Sequence, residues 1–191
     1  MPKKIEVYKF EELPLNVQDE MVQKAINEER FLDSYYEFDV PFVKEMAEKA
    51  AEAEGFFTVD SDGIIYRACQ EEWYITGSFA LDKMHDFFIT HGFTEDEYNF
   101  LLDEITYVEV IPYYSTYSIS YNLEPDISRE LESKFEDVLT NWIEGKREYV
   151  NNLDESMRSV YYDDAHIYNC LAITECDNYF TVDGVCVGSI D

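Results

Sequence analysis

Over residues 113–123 the chain alternates. Tyr113, Tyr117, Ile119, Tyr121 and Leu123 fall on one side, and Tyr114, Thr116, Ser118, Ser120 and Asn122 on the other. A period of two predicts a strand with one buried and one solvated face. Further strands are expected at IEVYKF (5–10), in two arms of FFTVDSDGIIYRAC joined by a turn at 60–63, at WYITGSFA (73–80) and at TYVEV (106–110). NYFTVDGVCVGS reads as a hairpin turning at Asp183 and Gly184. Between these runs the period changes to that of a helix. Val17, Met21, Val22, Ala25 and Ile26 mark a helix over 15–30, and Pro41 starts another, since a missing N–H costs nothing in the first turn. LDKMHDFFITH forms a helix that ends at Gly92. A long helix is expected near 126–152, striped by Ile127, Leu131, Phe135, Val138, Trp142 and Tyr149, supported by a Glu130–Lys134 pair and open to a bend at Gly145. A shorter one follows over 164–174. The fold class is α+β, with small antiparallel sheets packed against several amphipathic helices. The length suits one domain over 1–191, with 126–191 as a helix-plus-hairpin subdomain in the other division considered.

The helix over 95–105 is the most fully specified. Thr94 and Glu97 form a capping box, and Phe93 and Tyr98 occupy the positions of a hydrophobic staple. Tyr98, Leu101, Leu102 and Ile105 make the apolar stripe. Asp96, Glu97, Asp103 and Glu104 flank the opposite side, and Phe100 falls in its middle. Solvation explains carboxylates there but not a phenyl ring among them. Asp103 and Glu104 also sit at the helix end that disfavours anions, at about 0.3–1 kcal/mol each. A packing element, such as the long helix or a homodimer partner, would account for Phe100 without function.

Charge then changes the picture. The chain carries 42 acidic against 14 basic residues, for a net charge of −28. Residues 84–128 hold nine carboxylates and no Lys or Arg, and after Arg158 there are six carboxylates and no Lys or Arg. Self-repulsion of this size disfavours a compact state. Solubility, adaptation to high salt, metal binding and a basic partner are the competing explanations. Direct nucleic-acid binding is disfavoured because phosphates would be repelled. No apolar leader or membrane-length apolar run is present, so a cytoplasmic chain is expected, with Cys69, Cys170, Cys176 and Cys186 reduced and mostly buried.

Candidate chemistry is thin. A calcium loop centred on Gly63 would need ligands at Thr58 and Cys69, and neither supplies a carboxylate. His85 and His91 lie six apart, on nearly opposite sides of a helix. Asp163 and Asp164 beside His166 suit a helix first turn. No zinc spacing, phosphate loop or nucleophile elbow appears. The expectation is a non-enzyme without cofactor or metal.

Three segments carry a resemblance: Glu12-Leu13-Pro14 before a helix with Gln18 and Ala25, the strand ending Thr76-Gly77-Ser78-Phe79, and Asn178-Tyr179-Phe180-Thr181-Val182-Asp183-Gly184 after a helix. Their order resembles that of small acidic phage and prophage proteins labelled antitoxin-like. The likeness departs at Arg67-Ala68-Cys69-Gln70-Glu71-Glu72-Trp73, so it implies no activity for that segment. It implies a phage setting, in which acidic proteins inhibit host nucleases, as anti-CRISPR and anti-restriction proteins do. The function expected is a non-catalytic inhibitor whose acidic surface imitates nucleic acid in the basic channel of a CRISPR-associated nuclease or restriction enzyme. Its contact residues would be Asp96, Phe100, Asp103 and Glu104. The alternative is an antitoxin-like protein that grips a specific partner through an apolar interface.

Overall fold

The computed structural model describes residues 6–67, 72–114, 116–122 and 127–189. Among the described residues, six helices longer than a single turn and two antiparallel sheets make the chain α+β. It divides into two compact units, Met1–Pro41 with Asp154–Asp191, and Phe42–Leu153.

In the first unit, helix α1 (Leu15–Asn27) packs on helix α6 (Asp164–Thr174). Val17, Val22 and Ala25 of α1 meet Ile167 and Leu171 of α6, with Phe10, Leu13 and Phe180 closing the core. Strands β5 (Tyr179–Phe180) and β6 (Cys186–Gly188) form the terminal hairpin, and Gly184 adopts the positive φ of 79° that its turn requires. The expected strand over 5–10 is not formed by its described residues. Tyr8 makes one bridge to Phe180, and Phe10–Glu12 then turns into a 3-10 helix. Gln18 dictates this. Its buried amide nitrogen faces the carbonyl oxygens of Phe10, Glu11 and Leu13 at 3.0–3.2 Å, which a strand would point elsewhere.

The helical path into α2 (Val40–Glu52) starts earlier than Pro41, through a short turn at Leu32–Ser34 and a π turn at Tyr35–Asp39. Proline has no N–H for the carbonyl four residues back and its ring crowds that carbonyl. The wider π turn makes room, and the Val40 N–H bonds the Tyr35 oxygen instead.

The second unit holds a four-stranded sheet in the order β1 (Phe57–Arg67), β2 (Glu72–Phe79), β3 (Val108–Tyr113), β4 (Thr116–Tyr121). The expected turn at 60–63 is instead a bulge inside one long strand. Val59 pairs with Gly77 and Ile64 with Ile75, so both arms use β2 as their partner. Gly63 permits it, because a Cβ there would lie 2.4 Å from the Thr76 oxygen. The alternating run over 113–123 is also divided. Tyr113 ends β3 opposite Thr116 and is exposed, while Tyr117 and Ile119 of β4 are buried. Leu123 lies outside the described residues.

Helix α5 (Arg129–Ser159) covers one face of this sheet. Trp142 sits 5.2–5.4 Å from the rings of Phe56, Phe57 and Phe79. The helix passes through Gly145 unbroken. Phe135 and Trp142 of the expected stripe face the core, and Leu139, Ile143 and Val150, which the expected stripe left out, are buried with them. Tyr149 is exposed. Helices α3 (His85–Thr90) and α4 (Glu95–Glu104) add Phe88, Tyr98 and Leu101 to the same core. No helix among the described residues is long and apolar enough to cross a membrane.

Candidate acidic interface

Helix α4 is held in register from its first turn. The Glu97 N–H donates to Thr94 Oγ1 at 3.2 Å, and the Thr94 N–H donates to Glu97 Oε2 at 2.7 Å. The Thr94 backbone bond holds the Glu97 carboxyl below its usual range, helped by the Lys134 ammonium at 3.0 Å. Lys134 also donates to the Gly92 carbonyl and lies 4.1 Å over the Phe93 ring. It therefore serves the α4 cap, not the expected pair with Glu130. Beneath the cap, Phe93 and Tyr98 close on Phe88 with centroids 4.8 and 5.9 Å away, and the Tyr98 hydroxyl donates to the Leu81 carbonyl at 2.9 Å. Burial, with Asp82 and Glu95 nearby, pushes that phenol up.

With Tyr98, Leu101 and Ile105 fixed inward, the opposite face is determined. Asp96 and Phe100 are four residues apart, and Phe100 lies three and four residues from Asp103 and Glu104. Such neighbours share a helix face with Cβ atoms about 5–6 Å apart. The four predicted residues are thus brought together around Phe100. Asp96 and Asp103 are exposed, and Phe100 and Glu104 are half-buried. None of the three carboxylates has an ion pair or side-chain hydrogen bond among the described residues. Phe100 has no ring partner among them.

The other acids of this region are committed. Glu97 belongs to the cap. Glu95 meets His85 Nε2 at 3.0 Å, while His85 Nδ1 faces Asp86 at 2.9 Å. Asp86 first and Glu95 second raise the imidazole above its ordinary value. Sequence reasoning missed this bridge, since His85 and Glu95 are ten residues apart and lie on different helices. The two basic-free stretches fall in different compact units.

Elsewhere the polar groups serve structure. In the first unit the Tyr35 hydroxyl bonds the buried Asp154 carboxylate. Tyr161 bonds Asp39, and burial first, then that carboxylate, pushes its phenol up to about 12. Asp163 caps α6, accepting the His166 N–H at 2.9 Å. Cys170 Sγ lies 3.4 Å from His166 Nε2, but burial pushes the thiol up, and a protonated thiol is a poor nucleophile. Contrary to the expected burial, Cys176 and Cys186 are exposed and Cys170 half-buried, because α6 and the hairpin turn them away from the core. Cys69 lies outside the described residues. Among those residues no group of three or more His, Cys, Asp or Glu is arranged to hold a metal ion. No protein-family model, curated protein or solved structure matches the chain.

Proposed function

We propose that this chain is a phage-encoded, non-catalytic inhibitor that acts in the cytoplasm of an infected bacterium. It occupies the basic nucleic-acid channel of a host defence protein, a CRISPR-associated nuclease or a restriction enzyme. The observation that carries the reading is the outer face of α4, where Asp96, Asp103 and Glu104 surround Phe100 without an ion pair among the described residues. Carboxylates at helical pitch imitate successive phosphates to a groove of Lys and Arg, and the aromatic ring takes the place of a base or anchors the contact. The net charge of −28 steers encounter with such a groove. The phage setting rests on the resemblance of the three sequence segments.

The test is inhibition of a panel of CRISPR-associated and restriction nucleases by the wild-type chain and a triple variant, Asp96→Lys, Asp103→Lys and Glu104→Lys. The variant keeps the wild-type circular dichroism spectrum and loses inhibition. Phe100→Ala weakens binding by about tenfold or more, the scale of an interface anchor. Unchanged inhibition by the triple variant removes α4 from the mechanism.

A second reading, a specific partner held by an apolar interface, is favoured by exposed Ile111, Tyr113 and Tyr114 at the end of β3. The two readings differ in salt response. A complex made by the acidic face weakens steeply as salt is added, whereas an apolar one changes little.

A further inference from the structure

The first unit contains a feature that the acidic helix does not use. A cleft of about 750 Å³ opens between α1, α6 and the terminal hairpin. Its floor is apolar, made by Val17, Met21, Ala25, Leu171 and Phe180. Met21 is a flexible, polarizable side chain of the kind that adapts to varied occupants. Val185 is 58% exposed at the lip, so the apolar surface continues outside the cleft.

The charges around this floor are unbalanced. Four carboxylates line the cleft, Glu20, Glu28, Glu175 and Asp183, against two cations, Lys24 and Arg30. Both cations are neutralised locally. Lys24 faces Glu28 at 3.8 Å, and Arg30 bonds Glu175. Burial raises the Glu175 carboxyl, but Asn178 and Arg30 together outweigh it and hold the group below its usual range. Glu20, on α1, has no ion pair among the described residues. Asp183, on the hairpin, accepts the Thr181 hydroxyl and has no cation among those residues. One uncompensated carboxylate therefore stands on each bank of an apolar trough.

We propose that this cleft binds a basic, amphipathic peptide segment of a partner protein. Its large apolar side chains enter between α1 and the hairpin, and its lysines or arginines meet Glu20 and Asp183. The volume lies within the range of about 300–1,000 Å³ common to ligand sites, and apolar anchors flanked by charge are how grooves read such segments. A peptide, unlike a compact small molecule, also covers the exposed Val185 lip. The inference is independent of the α4 reading.

The test uses the full chain and two fluorescent peptides of equal charge, one of leucine and lysine in amphipathic order and one with every leucine replaced by serine. Fluorescence anisotropy at about 0.15 M salt limits nonspecific attraction. The leucine peptide binds at least about tenfold more tightly than the serine peptide, a difference of about 1.4 kcal/mol. Glu20→Lys and Val185→Lys, both at exposed positions, each weaken it several-fold, while Glu48→Lys, at an exposed acid of the second unit outside both proposed sites, leaves it unchanged. On the wild-type chain, the methyl resonance of Met21 shifts with the leucine peptide and not with the serine peptide, a readout that does not depend on any variant folding. Equal affinity for the two peptides, or an unmoved Met21 resonance, overturns the proposal.

Discussion

At the scale of single residues, proximity in space separates carboxylates that the sequence leaves equivalent. Helical spacing is enough to place Asp96, Phe100, Asp103 and Glu104 on one face, and that much was legible from the chain alone. The identity of the engaged acids was not, because their partners come from other elements: His85 for Glu95, and Lys134 for Glu97. The His85 bridge predicts a pH response. Asp86 and Glu95 raise its folded-state value, so the stabilisation is fully present below the unfolded value of about 6.5 and is lost as pH rises through the folded one. The imidazole NMR titration should show a raised midpoint, and Glu95→Gln should bring it back toward the ordinary value. An unchanged midpoint in that variant would assign the shift to Asp86 alone. Phe100 illustrates the limit of a helix wheel, which gives direction but not cover. Half-buried, it is neither a core residue nor a free one.

At the scale of elements, local signals determined the pieces whose determinants are local. The α4 cap, the staple and α6 follow from residues within one or two turns, and each appears where its chemistry requires. Thr94→Ala should therefore cost about 1 kcal/mol, the usual value of an N-cap, in chemical denaturation. Glu97 has a lowered pKa, so its share of this stability is present above the unfolded carboxyl value and fades as pH falls through the folded one. Elements set by pairing were harder to read. Nothing within FFTVDSDGIIYRAC states whether 60–63 turns the chain or bulges it. The answer lies in β2, which offers one edge to both arms. Gly77 of β2 records that closeness, since a Cβ there would sit 2.2 Å from the Thr58 oxygen and 2.8 Å from the Phe57 ring. Gly77→Ala should lower stability by about 1–3 kcal/mol, the range of overpacked sites, and a wild-type denaturation midpoint would contradict the pairing. The stripe of α5 was read only in part for a related reason. Its apolar residues form one arc broader than the expected line, so Trp142 meets Phe56, Phe57 and Phe79 of the sheet as expected, while Leu139, Ile143 and Val150 at the other side of the arc are buried as well.

At the scale of the whole molecule, a net charge of −28 acts on folding and on association with opposite sign. Added salt shortens the range of self-repulsion, which falls to about 10 Å at 0.1 M. The melting temperature of the free chain should rise with sodium chloride, while a complex with a basic partner should weaken over the same range. A melting temperature independent of salt would mean that the charge is already neutralised within the fold. The sequence displays this excess openly, but it does not display how the chain is partitioned, because the division at Leu153 and Asp154 falls within one uninterrupted helix.

That partition has a consequence for the order of events at the ribosome. The unit that contains α1 is closed by residues 154–191, so the segment 42–153 is nested inside it along the chain. The nested unit has all its strands and most of α5 before α6 is synthesised, and its assembly can run ahead. Val17, Val22 and Ala25 emerge early and wait, uncovered, through more than a hundred further residues for Ile167 and Leu171. Among the described helices, α1 is made first and is among the last to be completed, so its apolar face lacks its partner helix throughout that interval.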